Sequence, residues 1–248
     1  MIVLKSDDEI KRMAESCRIV AEVLEGIKKN IAPGVATEEL DEFAESFILS
    51  KGARPAFKGY RGYPASVCTS VNEQVVHGIP SSTKLRNGDI ISLDIGVCYK
   101  GFYGDAAVTV PVGSVDKQAG KLLLVTEKAL KIGLEKSVAG NRLSDVSFAI
   151  QEYVESEGFS VVRNFVGHGI GRELHEEPQV PNFGKPGEGP RLLPGMTLAI
   201  EPMVNAGDWE VVILNDGWTA VTKDKSLSAH FEHTVAITKN GLNILTKL

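Results

Sequence analysis

Long apolar runs are missing from this chain. No stretch approaches the roughly 20 apolar residues of a membrane-spanning helix, which excludes a helical membrane protein. The opening segment MIVLKSDDEIKRMAES has too short an apolar run for a signal peptide, and two acids follow at once. Cysteine is scarce. Cys17, Cys68 and Cys98 are odd in number and form no CxxC pair, which argues against a disulfide framework and for a reducing compartment. A soluble cytoplasmic protein is the expectation. Basic runs are missing too. With a net charge of -5 and no basic tail, nucleic acid and anionic membrane are poor candidates for the main partner. Several site chemistries lack their motifs: there is no GxSxG elbow, no P-loop and no HExxH helix. The Gly-rich GHGIGRE has no strand–turn–helix context, so a dinucleotide reading is weak.

What is present is an ordinary globular composition, 43% hydrophobic and 24% charged over 248 residues, enough for a real core. Ser6 and Glu9 have capping-box spacing, and Ile10, Met13, Cys17, Val20 and Leu24 follow at helical intervals. A second helix is expected over 37–51, stopped by Gly52. Strands follow near 66–71 and 90–110, then helices over 116–135 and 144–157, the last stopped by Gly158. The remainder reads as strands and turns: 161–166, 197–204, 211–214, 218–222 and 231–238. Residues 184–190, GKPGEGP, form a loop, and no low-complexity linker divides the chain.

The chain repeats itself. Gly34, Leu40, Ser50 and Gly52 align with Gly140, Val146, Ser156 and Gly158, and LRNGDIISLD aligns with LLPGMTLAIE. That alignment places Glu201 where Asp94 stands and, with a longer hairpin in the second half, Glu232 where Asp105 stands. It predicts two similar α/β halves, approximately 1–112 and 113–248, around a pseudo-two-fold axis within one domain. Four carboxylates should meet at that axis.

The segment DIISLDIGVCYKGFYGDAAVTV alternates on both sides of a turn signal and reads as a β-hairpin. A turn centred on Tyr99 and Lys100 sets Asp94 directly opposite Asp105. Like charges so placed are destabilising, and something positive should sit between them. A lone buried Asp more often pairs with Arg or caps a turn, but two facing carboxylates cannot both ionise without compensation. Glu201 in MTLAIEPMV and Glu232 in AHFEHTVAI are costly in apolar strands unless paired or ligated. His168 and His175 lie in FVGHGIGRELHEEP, where glycines suit a close backbone approach. A lone apolar-face His is usually a satisfied core residue; here the glycines and the second His favour a site. An oxygen-rich set with one imidazole points to a hard-metal pair, manganese, iron or cobalt, rather than a thiolate zinc site. His77 reads as a turn residue, His230 and His233 as supporting or structural, and Arg172 with Glu173 as a surface pair. Phe57, Tyr60 and Tyr63, in AFKGYRGYPASVC, form either a packed loop or the wall of an apolar pocket.

At these residues the chain resembles the methionine aminopeptidases, in their bacterial type I form. The carriers are FKGYRGYPASVCTSVNEQVVHGIP, SLDIGVCYKGFYGDAA, GHGIGRELHEEPQVPN, GMTLAIEPM and SAHFEHT, together covering nearly the whole chain. The resemblance implies the α+β pita-bread fold, a curved antiparallel sheet covered by helices, in its short catalytic core. It implies two divalent metal ions (cobalt, manganese, iron or zinc) held by Asp94, Asp105, His168, Glu201 and Glu232. In that pattern Asp105 and Glu232 bridge, Asp94 chelates one ion, and His168 with Glu201 completes the other. His77 and His175 match the family's substrate-contacting histidines, and Tyr60, Tyr63, Cys68 and Trp218 match the region around the methionine side chain. Asn72 and Ser228 match positions of a monovalent cation, sodium or potassium. Leu174 and Gln74 depart from residues that some members carry, which leaves details of pocket shape open.

The expected reaction is removal of N-terminal methionine from peptides and nascent chains with a small second residue. Glu201 is the candidate base, His175 the donor to the carbonyl oxygen, and His77 the group on the leaving amide side. A ribosome-proximal monomer with no membrane and no specific nucleic-acid site is the matching picture. The rivals are an X-Pro aminopeptidase or prolidase of the same fold, which usually carries a further N-terminal domain, and a non-catalytic binding protein, which would have lost ligands.

Overall fold

Local sequence dictates the first helix almost completely. In the computed structural model, which describes residues 1–247, α1 runs Asp7–Lys28. The Glu9 amide donates to Ser6 Oγ at 3.3 Å, and Glu9 Oε2 accepts from the Ser6 amide at 3.0 Å. Two otherwise unpaired helix-end donors are thereby satisfied. Its buried stripe is Met13, Cys17, Val20, Val23, Leu24 and Ile27. α2 spans Thr37–Ser50. Ala36 at its N-cap has no acceptor, but Glu39 reaches back to the Ala36 amide at 2.8 Å. The chain leaves α2 through Gly52 at φ +68°, a conformation that costs glycine nothing.

The first half continues with β1 (Arg54–Pro55), β2 (Cys68–Val71), β3 (Gln74–Val76), β4 (Ile90–Tyr99) and β5 (Phe102–Pro111). β4 pairs antiparallel with β1, β2 and β5. The second half opens with α3 (Lys117–Lys136) and α4 (Leu143–Ser156). The helix pairs are nearly equal, 22 and 14 residues against 20 and 14. Then come β6 (Ser160–Val161), β7 (Gly167–Gly169), β8 (Glu176–Val180), β9 (Thr197–Ile200), β10 (Met203–Asn205), β11 (Val211–Ile213), β12 (Ala220–Thr222), β13 (Ser228–His230), β14 (His233–Thr238) and β15 (Gly241–Ile244). Their sheets run β15-β14-β9-β7-β8, β13-β10-β6 and β11-β12-β3, the last joining the two halves.

Three departures from the expected strands matter for function. First, the β4–β5 turn is Lys100–Gly101, with φ of 49° and 80°, the left-handed pair that a two-residue hairpin turn demands. The register therefore pairs Asp94 with Ala107 and Asp105 with Gly96. The two aspartates are diagonal neighbours on one face, not directly opposite each other. Second, the strand expected over 197–204 is broken at Glu201–Pro202, between β9 and β10; a proline has no N–H to continue a ladder. The strand expected over 231–238 starts only at His233, and Glu232 lies in the gap after β13. Third, 161–166 is mostly irregular, with strand only at its start, and β7 begins at Gly167.

The halves are locked where β5 meets β13 and β14. The Asp105 amide donates to Thr234 Oγ1 at 3.0 Å, Thr234 Oγ1 donates to the Asp105 carbonyl at 2.7 Å, and the Glu232 amide donates to the Ala107 carbonyl at 2.9 Å. One apolar cluster centres on α1, α2 and β4, and another on α3, α4 and β9. A third joins Met13 and Cys17 of α1 to Ile170, Leu174 and Ala236 of the second half. No described helix is long and apolar enough to cross a membrane.

Candidate metal centre and substrate pocket

Two strand breaks and one hairpin deliver four carboxylates to the seam. Asp94 and Asp105 come from continuous strands, Glu201 and Glu232 from the gaps after β9 and β13. His168 stands in the middle of β7, opposite Ala199 of β9. Its neighbouring glycines have a steric reason. A Cβ on Gly167 would stand 2.4 Å from the Ala199 carbonyl oxygen, and one on Gly169 would stand 2.3 Å from that of Glu177. Only glycine lets β7 press between β8 and β9 at this point.

Ligand atoms of Asp105, His168 and Glu232 all lie within 4.8 Å of one another, and these residues are 4%, 7% and 2% exposed. His168 Nε2 is 3.9 Å from Asp105 Oδ2 and 3.5 Å from Glu201 Oε1. Its Nδ1 lies 2.9 Å from the Gly169 carbonyl. A carbonyl only accepts, so Nδ1 carries the proton and Nε2 keeps its lone pair for the carboxylate side. His230, buried two residues before Glu232, places Nε2 3.6 Å from Glu201 Oε2. His233 turns away and bonds Thr246 Oγ1 through Nδ1 at 2.9 Å.

Electrostatically the cluster is uncompensated by protein. Among the described residues no Lys or Arg pairs with the four carboxylates. Asp94 Oδ1, Asp105 Oδ1 and Glu232 Oε1 are buried without a hydrogen-bond partner. Burial pushes Asp94 up to about 7, with Glu201 adding to the rise and His230 opposing it. Asp105 is driven well above its ordinary range by burial and then by the Asp94 and Glu201 charges. Glu201 rises through burial, and Glu232 through burial and then Asp105. Orphaned oxygens with no counter-charge are what divalent cations satisfy, and one imidazole lone pair among carboxylates suits such ions. The residues fit a divalent metal site.

Beside the carboxylates is a cavity of about 200 Å³. Drug-sized ligand pockets run roughly 300–1,000 Å³, so this one suits a single side chain. Its lining brings together Tyr60, Tyr63, Cys68, His77, His175 and Trp218 with Asp94, Asp105, His168, Glu201 and Glu232. Tyr63 donates its hydroxyl to the Gly78 carbonyl at 2.9 Å, and its ring meets Trp218 edge-on at 5.1 Å. His77 is more than a turn residue. It is held at φ +60°, a left-handed conformation costly for a non-glycine residue, edge-on to Phe165 at 5.4 Å and Trp218 at 6.1 Å. Burial pulls its imidazole down to about 4, so it is neutral at pH 7. The His175 ring packs against that of His168 at a tilt of 48°, with 4.3 Å between ring centroids.

Asn72 and Ser228 meet outside this cavity. The Ser228 amide donates to the Asn72 carbonyl at 2.9 Å, and Asn72 Oδ1 accepts from the Ile90 amide at 3.0 Å. Arg172 pairs with Glu9 Oε1 at 3.1 Å rather than with Glu173, a correction to the surface-pair expectation. Its guanidinium also lies over the Phe102 ring of β5, 4.7 Å from the centroid. Sequence reasoning missed Phe165, Met203, Val76 and Arg61 in the pocket lining. Each carried a sequence signal, Met203 being two residues after Glu201, Arg61 between Tyr60 and Tyr63, Phe165 three residues before His168 and Val76 beside His77, but only packing decided which of them face the cavity.

Residues 11–239 match metallopeptidase family M24. The chain is 56% identical to methionine aminopeptidase 1 of Bacillus subtilis (strain 168) over 248 residues, the whole of both chains. It superposes on the crystal structure of methionine aminopeptidase from Thermotoga maritima with TM-score 0.98 and 51% identity, covering both chains completely. It also superposes on the prolidase from Pyrococcus horikoshii OT3 with TM-score 0.82 and 25% identity, spanning 64% of that chain.

Proposed function

The chain belongs to metallopeptidase family M24, and on that premise we propose how its residues carry out its reaction. That reaction is methionine aminopeptidase hydrolysis, a metal-dependent exopeptidase step on peptides with N-terminal methionine. The fold is the α+β pita-bread fold of the family, and we read the chain as one catalytic domain of two repeat-related halves. The prolidase reading is less supported, since that likeness is at 25% identity.

Asp94, Asp105, His168, Glu201 and Glu232 are proposed to hold two divalent ions, manganese, iron, cobalt or zinc. The observation that carries this is the buried carboxylate set with orphaned oxygens and no protein counter-charge. Bound divalent ions supply Lewis acidity and make water a competent nucleophile near neutral pH. A sodium or potassium ion is proposed at Asn72 and Ser228.

The methionine side chain enters the cavity against Tyr60, Tyr63, Cys68 and Trp218, with Phe165 and Met203 completing its apolar wall. The free α-amino group goes to the acidic end, where Asp94 lines the cavity, and this confines cleavage to the first peptide bond. Glu201 takes the proton of the attacking water as general base. His175 donates to the scissile carbonyl oxygen as negative charge develops. Neutral His77 stabilises the leaving amide side. The confined site disfavours a bulky second residue by steric clash, so N-termini with a small second residue, as on newly made chains, are the preferred substrates.

The test is peptide cleavage by metal-stripped protein with manganese, cobalt, iron or zinc restored, comparing Met-Ala-Ser, formyl-Met-Ala-Ser and Ala-Pro. Metal-dependent methionine release from the first peptide alone is expected. Cleavage of Ala-Pro instead would move the chain to the prolidase branch.

A further inference from the structure

The two neighbouring imidazoles of the site have different partners at Nδ1. His168 meets a backbone carbonyl, which has no proton to give. His175 meets the Tyr60 hydroxyl at 2.9 Å, which does. We propose that the Tyr60 hydroxyl donates to Nδ1 of His175 and holds its imidazole with the proton on Nε2, making Tyr60 a positioning residue for the donor to the scissile carbonyl.

Three observations carry the proposal. The first is the direction of the bond. A phenol is the stronger donor of the pair, and an unprotonated imidazole nitrogen is the stronger acceptor. The Arg61 guanidinium lies over the Tyr60 ring, 5.4 Å from its centroid. A cation on the ring face draws electron density from the phenol oxygen, which strengthens donation and weakens acceptance. Tyr60 has no other side-chain partner among the described residues.

The second is that both ends of the bond are fixed. Tyr60 opens a tight turn, residues 60–62, preceded by left-handed Gly59 at φ 84° and containing left-handed Arg61 at 49° and Gly62 at 91°. The turn is closed by the Gly59 amide to the Tyr63 carbonyl at 2.8 Å and the Tyr63 amide to the Tyr60 carbonyl at 2.9 Å. A non-glycine residue held left-handed is strained, and such strain persists only where the surroundings impose it. On the other side, Glu176 follows His175 directly. It accepts from the amides of Arg172 and Glu173 at 2.8 and 3.2 Å and pairs with the buried Lys5. The hairpin-like loop carrying His175 is thereby clamped to the N-terminal segment.

The third is the contrast between neighbours. The His168 and His175 rings lie 4.3 Å apart between centroids, and the Tyr60 and His175 rings 5.2 Å, both pairs tilted. A carbonyl makes the first imidazole an acceptor at Nε2, suited to a cation. A hydroxyl makes the second a donor at Nε2, suited to an oxyanion. Two adjacent histidines thus take opposite chemical roles from a difference at their outer nitrogens. The consequence for turnover rests on the role given to His175 above; the proton position does not.

The experiment is nitrogen NMR of the zinc-loaded protein labelled with 15N-histidine, zinc being diamagnetic, with His175 assigned by its loss in His175→Gln. The wild type is expected to show His175 with a proton-free Nδ1 and a protonated Nε2, and His168 with the reverse. In Tyr60→Phe, the His175 nitrogens should move toward a mixture of the two forms. In the same variant kcat on Met-Ala-Ser should fall about three- to tenfold, the range one neutral hydrogen bond carries, with KM within about twofold. A proton on Nδ1 of His175 in the wild type, a measurement that needs no variant, would overturn the proposal. So would unchanged His175 nitrogens in Tyr60→Phe. If the wild type released no methionine, the peptidase reading would fall, while the nitrogen pattern would still decide the direction of the Tyr60–His175 bond.

Discussion

Glu201 and His175 are where single side chains bear most directly on the chemistry. Glu201→Gln keeps shape but removes the proton acceptor, and His175→Ala removes the carbonyl donor. Each is expected to lower kcat by about 10²–10³-fold, with unchanged circular dichroism; near-wild-type turnover in either would end that role. The buried carboxylates and histidines make metal-free stability depend on pH. Asp94 at about 7, and Asp105, Glu201 and Glu232 above their ordinary range, favour the protonated form when folded. Their stabilising contribution is full below the unfolded carboxylate range near about 4 and is lost as pH rises through the folded values. The buried histidines oppose this: His77 and His233 at about 4 and His168 at about 3 cost stability as pH falls below about 6.5. Between about pH 6.5 and 8 only the carboxylate effect remains. The Tm of metal-stripped protein is expected to fall across that window, and added zinc or manganese should raise it most at the alkaline end. A Tm that climbs with pH there would contradict the buried-carboxylate account.

At the scale of elements, close backbone approach decides what the sequence tolerates. Helix α1 lies directly on β5. A Cβ on Gly104 would stand 2.7 Å from Cys17 Sγ and 2.8 Å from the Cys17 amide nitrogen. The backbone cannot yield there as the tip of a side chain would. Gly104→Ala should cost about 1–3 kcal/mol, the range for overpacking a tight core, and chemical denaturation would measure it. Because Asp105 is the next residue, the same variant should also weaken metal binding in calorimetric titration. An unchanged denaturation midpoint would mean that α1 can lift from the sheet without loss. The two glutamates illustrate the complementary rule. Each occupies a gap between short strands, and the Phe231 amide bonds the Pro202 carbonyl at 3.3 Å, which holds one gap against the other.

For the whole molecule, the proposed ligands divide between the halves: Asp94 and Asp105 in the first, His168, Glu201 and Glu232 in the second. The side chain of Thr234 and the amide of Glu232 tie the seam to β5, so loss of either half removes both ligands and seam. The proposed single catalytic domain implies one cooperative unfolding transition, with equal calorimetric and van't Hoff enthalpies, moving upward as a unit on metal addition. Two resolved transitions, only one of them metal-sensitive, would show that the halves fold separately. Removal of metal by chelation is expected to abolish methionine release, and restoring it should recover activity without refolding.

Much of this protein was legible without coordinates because the signals are local. The Ser6–Glu9 box, the Gly52 and Gly158 stops and the apolar period of α1 depend on residues a few positions apart. The internal alignment, a long-range signal, set Glu201 against Asp94 and Glu232 against Asp105 as an expectation from sequence alone. Tertiary structure decided the rest, since it turns on register and approach. Lys100–Gly101, not Tyr99–Lys100, makes the turn, because two left-handed residues are required there; that shift turns facing aspartates into diagonal ones. Pro202 breaks a strand that periodicity alone would have continued. Tyr60 and His175 are distant in sequence, and only the packing of two loops against one cavity brings the hydroxyl to the imidazole.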